Sequence, residues 1–360
     1  MKLIIGYICF LILFSIYSYA LMDPNITFLN AHVWEVFRNI MVYLGYYQRE
    51  ISSIIYIVGI LGLFAFHYAF LKQKTIITPL KLSLIVGGIL ITSYPFLSHD
   101  FFNYMFDARI FTFYHENPYL KRALDFPNDP WVRFMHWTHR TYPYGPTFLL
   151  LTLVPSFLSF GKFLLSFFLF KLLFVGCYCF TVWILQQKDK NWAVIFATHP
   201  LVILEGLINT HNDLVGIAFA VAGICYIAQK KEIVGRLLLL VSIGIKYLTF
   251  PFILASRWKY LNWIVIAGVG IVMIYLSFKA EIQPWYFLTV IALIPYIKED
   301  IHKLTLFMMG LAFSYYPYIR FGGWDKQWKV DMKHEIIWVF SILNVVYLLY
   351  FFVKKRFFTR

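Results

Sequence analysis

Apolar runs of about 18–22 residues recur along the whole chain, each long enough to cross the ~30 Å hydrocarbon core of a bilayer. They fall near 3–22, 51–71, 78–97, 163–185, 191–209, 212–229, 233–247, 248–256, 260–278, 284–298, 304–318 and 335–353. In lipid every backbone polar group must be satisfied within the protein, which favours helices over open sheets. The expected fold is therefore all-α, a polytopic integral membrane protein of about twelve segments. Charged residues are only 14% of the chain, against ~25% in soluble domains. No polar block is long enough to form a separate soluble domain, so residues 1–360 read as one unit.

A net charge of +14 would suit a nucleic-acid partner, but its distribution argues for orientation instead. With a cytoplasmic N-terminus, the short inside segments carry Lys2, Lys72, Lys74, Lys81, Lys188, Lys190, Lys230, Lys231, Arg236, Arg257, Lys259, Lys298, Lys303, Lys354, Lys355, Arg356 and Arg360. That obeys the positive-inside rule, places both termini in the cytoplasm and excludes nucleic acid. A cell membrane follows as the location, with the first span read as a retained signal anchor. Cys9, Cys177, Cys179 and Cys225 all lie within apolar spans and read as packing residues.

Two ambiguous segments set the topology. Residues 146–160 are apolar but short and broken by Pro155; counting them as a span would put Lys188 and Lys190 outside. They are expected to form an interfacial or half-inserted helix. A continuous helix over 233–256 would invert every later loop, so a break is expected near Lys246-Tyr247. Irregular backbone at membrane depth is tolerated where it lines a cavity. The first external segment, 23–50, carries helically spaced apolar residues from His32 to Met41, as an interfacial helix would.

The long external loop, 98–145, concentrates the chemistry. Asp100, Tyr104 and Asp107 share one face of a helix at i, i+4 and i+7, while Arg109 points away. Asp100 either activates a hydroxyl at the membrane edge or caps a juxtamembrane helix. Asn117-Pro118-Tyr119 ends the segment as a turn. Thr141-Tyr142-Pro143-Tyr144-Gly145-Pro146 is a rigid aromatic turn, suited to stacking on a ring or to an interfacial belt.

Downstream, Glu205-x3-Asn209-Thr210-His211-Asn212-Asp213 packs polar groups at the junction of two spans, which is expensive unless they are paired or used. Lys171 and Lys246 lie inside apolar segments; Lys171 is expected to snorkel to an interface and Lys246, at the break, to meet a lipid phosphate. Trp285 and Tyr286, with Tyr315, Tyr316, Tyr318 and Arg320, mark outer helix ends and read either as anchors or as saccharide-stacking groups. His99, His115, His136 and His139 lack ligands at metal spacing, so no metal is assigned.

In this order the motifs resemble the polyprenol-phosphate-dependent mannosyltransferases of the GT-C superfamily, nearest the bacterial α-1,6-mannosyltransferases. The matching residues are Asp100, Tyr104, Arg109, Asn117-Pro118-Tyr119, Tyr144-Gly145-Pro146, His199-Pro200-Leu201, His211-Asn212-Asp213, Lys246 and Pro284-Trp285-Tyr286. The likeness spans roughly residues 78–300. Ala108 and Thr210 depart from it, standing where that family commonly has glycine.

The resemblance implies a polyprenyl-phosphate-linked hexose donor, a glycan or glycolipid acceptor, an outward-facing site and inverting transfer. Under it, Asp100 is the base; Asp107, Tyr104, Asn117, Tyr144, His211, Asn212 and Asp213 orient substrate. Lys246, Arg109 and Arg320 face the donor phosphate, and Trp285 and Tyr286 stack on sugar. A phosphate leaving group needs cationic stabilisation rather than a protonated acid, so one carboxylate suffices where glycosidases use two. No cofactor is implied beyond the donor itself. A flippase or transporter of a lipid-linked saccharide is the rival reading; the break at Lys246 suits it, and the missing internal repeat argues against it.

Overall fold

The computed structural model describes residues 1–73 and 77–358, and every regular element among them is helical. Lys74 and Arg360, assigned to the inside, lie outside the described residues, as do the side chains of Lys259, Lys355 and Arg356. The N-terminal part comprises α1 (Lys2–Tyr17), α2 (His32–Val42), α3 (Arg49–Lys72) and α4 (Pro79–Leu90). The middle comprises α5 (Asp100–Thr112), α6 (Pro146–Leu158), α7 (Phe163–Gln186), α8 (Lys190–Thr198), α9 (Asp213–Ala228) and α10 (Glu232–Ile245). Then come α11 (Lys259–Lys279), α12 (Leu288–Ile291), α13 (Ile294–Ile297), α14 (Thr305–Phe313), α15 (Tyr316–Phe321) and α16 (Gln327–Phe358).

Five of these, α1 with its 3-10 extension to Leu21, α3, α7, α11 and α16, are long and apolar enough to cross a membrane. A sixth crossing counts α8 with the π-helical Val202–Ile208 segment, bent by 66° between them. Only 11% of the apolar window of α16 and 17% of that of α11 is covered by protein. Such wide apolar faces need lipid or a partner to cover them.

Among the described residues five or six helices, rather than about twelve, are long and apolar enough to cross as regular helices, and proline explains most of the difference. The run 78–97 stays helical only to Leu90 before Ser93-Tyr94-Pro95, because a residue ahead of proline is driven out of the helical region. The bend after α8 falls at His199-Pro200, where His199 has extended backbone (φ −64°, ψ 125°). The runs 284–298 and 304–318 break into short pieces begun by Pro284, Pro295 and Pro317, which favour first-turn positions. Residues 146–160 form the 13-residue α6, too short for the ~20 residues a crossing needs. The 233–256 run breaks where expected: α10 ends at Ile245 and a 3-10 segment, Tyr247–Leu254, follows.

Two packing relations set up the centre of the molecule. Helices α9 and α10 form an antiparallel pair in which a Cβ on Gly235 would lie 2.8 Å from the Gly223 carbonyl oxygen. Small residues let the two backbones approach, as at helix interfaces in membranes. The helices are similar in length, so the end of α10 returns to the start of α9 and brings Lys246 beside Asp213. Helix α6 begins at an equally close crossing, a Cβ on Gly145 standing 2.0 Å from the Gly244 carbonyl oxygen. That contact pins the Tyr144 turn against the same end of α10.

Lys171 does not snorkel. It is fully buried, and its ammonium donates to Ser93 Oγ (3.1 Å), Leu207 O (2.9 Å) and Ile208 O (2.8 Å). Those carbonyls close the π-helical segment, whose widened turn leaves C=O groups for a side chain to satisfy. Lys171 thus fixes the chain just before Asn209–Asp213.

Candidate functional site

Helix α5 is buried from Phe101 to Ile110 and opens at Asp100. The Asp100 backbone N–H donates to Ser98 Oγ (3.3 Å), starting the helix, while its carboxylate turns into the protein. Asp100 Oδ1 accepts from Trp137 Nε1 (3.2 Å), and Oδ2 lies 3.7 Å from His211 Nδ1. The His211 ring is fully buried and stacks on Trp285 with centroids 4.0 Å apart and planes 14° off parallel. On its other side His211 Nε2 lies 3.4 Å from Glu205 Oε2. Glu205 Oε2 also accepts from Asn209 Nδ2 (3.2 Å) and the Tyr315 hydroxyl (3.3 Å). Asp100, His211 and Glu205 thus form a row of close polar contacts running into the core.

Asp213 and Lys246 form the second half. Lys246 Nζ is 2.7 Å from Asp213 Oδ2 and 3.1 Å from Asn212 Oδ1, and lies 5.5 Å from the Tyr286 ring centroid. An ammonium has three N–H donors, so these two contacts leave one free. The Lys246 side chain keeps 15% of its surface while that of Asp213 has none. The Asn212 backbone N–H points at the Tyr104 hydroxyl at 3.4 Å, which ties α5 to the start of α9. Tyr104 packs edge-on against Tyr144, 5.1 Å between centroids.

Electrostatics separate the two α5 carboxylates. Burial pushes Asp107 up to about 8, with Asp100 adding to the rise and Arg140 opposing it. At neutral pH Asp107 therefore keeps its proton. Burial also raises Asp100, but Lys246, Arg140 and the Trp137 N–H work against that rise. Of the pair, Asp100 is the better base.

The structure brings Asp100, Tyr104, Tyr144, His211, Asn212, Asp213, Lys246, Trp285 and Tyr286 into one neighbourhood, with Asp107 about two turns beyond Asp100 on the same face of α5. Three of the sequence candidates stand apart. Asn117 makes a local turn, its Oδ1 accepting from the Tyr119 backbone N–H (2.9 Å). Arg109 pairs with Asp129 at 2.7 Å, and Arg320 with Glu50 at 3.1 Å. Trp285 already gives one face to His211. Trp137 and Arg140 belong to the site although nothing in the sequence singled them out; a loop has no periodicity to align them with Asp100. Glu205 stood in the polar cluster quoted above, yet its role shows only once the π-helical turn aims it at His211. Among the described residues, no group of three or more His, Cys, Asp or Glu is arranged to hold a metal; His99 and His136 lie 4.6 Å apart, ring to ring.

Residues 30–262 match the family described as alpha-(1->6)-mannopyranosyltransferase, N-terminal domain. The chain belongs to that family and is a glycosyltransferase, so a sugar donor and a glycan acceptor are its substrates. The match takes in every residue of the cluster except Glu205's partner Tyr315 and the Trp285-Tyr286 pair. No curated protein and no solved structure matches the chain.

Proposed function

We propose that the protein transfers mannose from a polyprenyl-phosphate donor to a glycan or glycolipid hydroxyl, with inversion, at a site on the outer face of the cell membrane. The observation that carries this reading is the convergence of a buried-edge carboxylate, Asp100, with a part-exposed cation, Lys246, around His211, Asn212 and Asp213. Group transfer to a hydroxyl from a phosphate leaving group asks for those two charges, one on each side of the reacting carbon.

In this scheme Asp100 removes the acceptor hydroxyl proton as the oxygen attacks the anomeric carbon. The carbon–oxygen bond to phosphate breaks, and the third N–H of Lys246 meets the charge that develops on the leaving phosphate. Asp213 and Asn212 hold Lys246 in place. His211, stacked on Trp285 and faced by Glu205, fixes one side of Asp100; Trp137 fixes the other. Asp107, protonated at neutral pH, donates to a substrate oxygen, and Tyr104, Tyr144 and Tyr286 wall the space. Both termini lie in the cytoplasm under the charge asymmetry described above; with the apolar stretch from α4 to Leu97 as the third crossing after α1 and α3, the 98–145 loop lies outside. No cofactor beyond the donor is needed.

Inversion that yields an α-linked product requires a β-linked donor. Purified protein given polyprenyl phosphate β-mannose and an oligomannoside acceptor should form an α-1,6 linkage, read from the anomeric carbon–proton coupling of the product. A β-linked product, or transfer only from a nucleotide sugar, would contradict the reading.

A further inference from the structure

Arg109 lies outside the Asp100 cluster and has an unfilled hydrogen-bonding edge. Its guanidinium is sandwiched between two rings, 3.9 Å from the Phe113 centroid and 4.2 Å from that of Trp131. Nε donates to Asp129 Oδ2 at 2.7 Å. Asp129 is well satisfied without more: Tyr114 donates to Oδ2 at 2.7 Å and the Trp131 backbone N–H to Oδ1 at 2.9 Å. Arg109 as a residue is 7% exposed, and its Nη1 is buried with no partner. A buried donor without an acceptor is costly to keep, and the aromatic sandwich prevents it from turning to find one.

That edge borders a cavity of about 120 Å³, also lined by Thr112, Ser156, Ser159 and Gly161. Thr112 Oγ1 and Ser156 Oγ lie 2.7 Å apart. Gly161 has φ +70°, and a Cβ there would stand 3.5 Å from Arg109 Nη1, so a longer side chain would grow into the space. The volume is about that of four waters, far below the 300–1,000 Å³ or so of ordinary ligand pockets. A small anion fits. Ser159 Oγ donates to the Ser156 carbonyl at 2.6 Å, and one proton of the Thr112–Ser156 pair lies between those two oxygens, so Arg109 Nη1 and the remaining hydroxyl proton are the donors left for an anion, a charge-assisted pairing that suits a phosphate.

Arg109 is nine residues beyond Asp100, about 14 Å along α5. The cavity lining reaches Gly161, two residues before α7 begins; α7 is long enough to cross a membrane, and the end of such a helix is where lipid headgroups lie. We infer that Arg109, with the Thr112–Ser156 hydroxyl pair, forms a second anion site that takes a phosphate group, free or as a phospholipid headgroup, separate from the Asp100 cluster.

The test is native mass spectrometry of the purified full chain in detergent with three probes: inorganic phosphate, dihexanoyl phosphatidic acid and uncharged dihexanoylglycerol. One equivalent of a phosphate-bearing probe should bind, and the uncharged one should not. Ser156→Leu fills the cavity without touching the Arg109–Asp129 pair and should weaken that binding at least tenfold; Arg109→Gln should do the same if it folds. The Lys246→Met, Asp213→Asn double variant, which removes the phosphate contact of the transfer centre, should leave it unchanged, which separates the two sites. Binding of both phosphate probes makes the phosphate group itself the ligand; binding of phosphatidic acid alone makes it a lipid headgroup. Retention of dihexanoylglycerol equal to phosphatidic acid, no binding of either phosphate probe, or unchanged binding in Ser156→Leu would overturn the inference.

Discussion

Lys246 Nζ stands 2.7 Å from the Asp213 carboxylate, a cation at the end of α10 locked to an anion at the start of α9. The pair joins stability to chemistry. Lys246→Met leaves Asp213 buried and uncompensated, which should cost about 3–5 kcal/mol. Adding Asp213→Asn should restore most of that loss in thermal unfolding. Mannosyl transfer should stay at least two orders of magnitude down in both variants, since the phosphate loses its cation either way. A double variant that regains activity along with stability would show Lys246 to be structural only.

Glu205 is the deepest member of the row that ends at Asp100. Glu205→Gln keeps an acceptor for Asn209 and Tyr315 but puts an amide in place of the carboxyl group facing His211. Small misplacements of reacting groups cost up to about 100-fold, so kcat should fall by a tenfold or more with donor KM little changed. The acid limb of the pH–rate profile should move as well, because Asp100 acts only when deprotonated. A variant with a lower melting temperature and an unmoved profile would reduce Glu205 to packing.

Asp107 gives a stability signature with a definite sign. Its proton is held up to about pH 8 in the folded protein but only to about 3.9 in an unfolded chain. The folded state therefore binds more protons between those values, and stability falls as pH rises from about 4 to about 8, by at most about 1.4 kcal/mol per pH unit. Asp107→Asn should flatten that slope in unfolding measured across the window. An unchanged slope would mean that the carboxyl is already ionised in the folded protein.

Lys171→Met should destabilise without touching substrate. It leaves the Leu207 and Ile208 carbonyls without their donor, at about 1–3 kcal/mol for each group. The loss should appear in thermal unfolding, and donor KM at a temperature where the variant is folded should remain within about threefold of wild type. A large KM change with normal stability would put Lys171 in the site.

The all-helical architecture, the break at Lys246 and the Asp100, His211–Asp213 and Lys246 part of the cluster were legible in the sequence for physical reasons. Long apolar runs admit few structures, and ionisable groups at span ends are rarely idle. Departures followed from effects that a hydropathy window averages away. Proline at 95, 200, 284, 295 and 317 broke runs that were apolar enough to look continuous. Lys171 looked solvent-seeking because its partners are backbone carbonyls, which carry no sequence signature. Arg109 and Arg320 matched a motif or an edge by position, but each had a carboxylate closer to hand. Thr210 is the instructive departure. It adopts φ +56°, a left-handed conformation that a β-branched residue seldom takes, which accounts for glycine being common there in the family it resembles. The strain falls immediately before His211.

The central claim is that Asp100 is the base. At neutral pH, Asp100→Asn should reduce mannosyl transfer from polyprenyl phosphate β-mannose by at least a thousandfold, while the purified variant unfolds at the wild-type temperature and still binds donor. A correctly folded, donor-binding Asp100→Asn protein with activity within tenfold of wild type would contradict it.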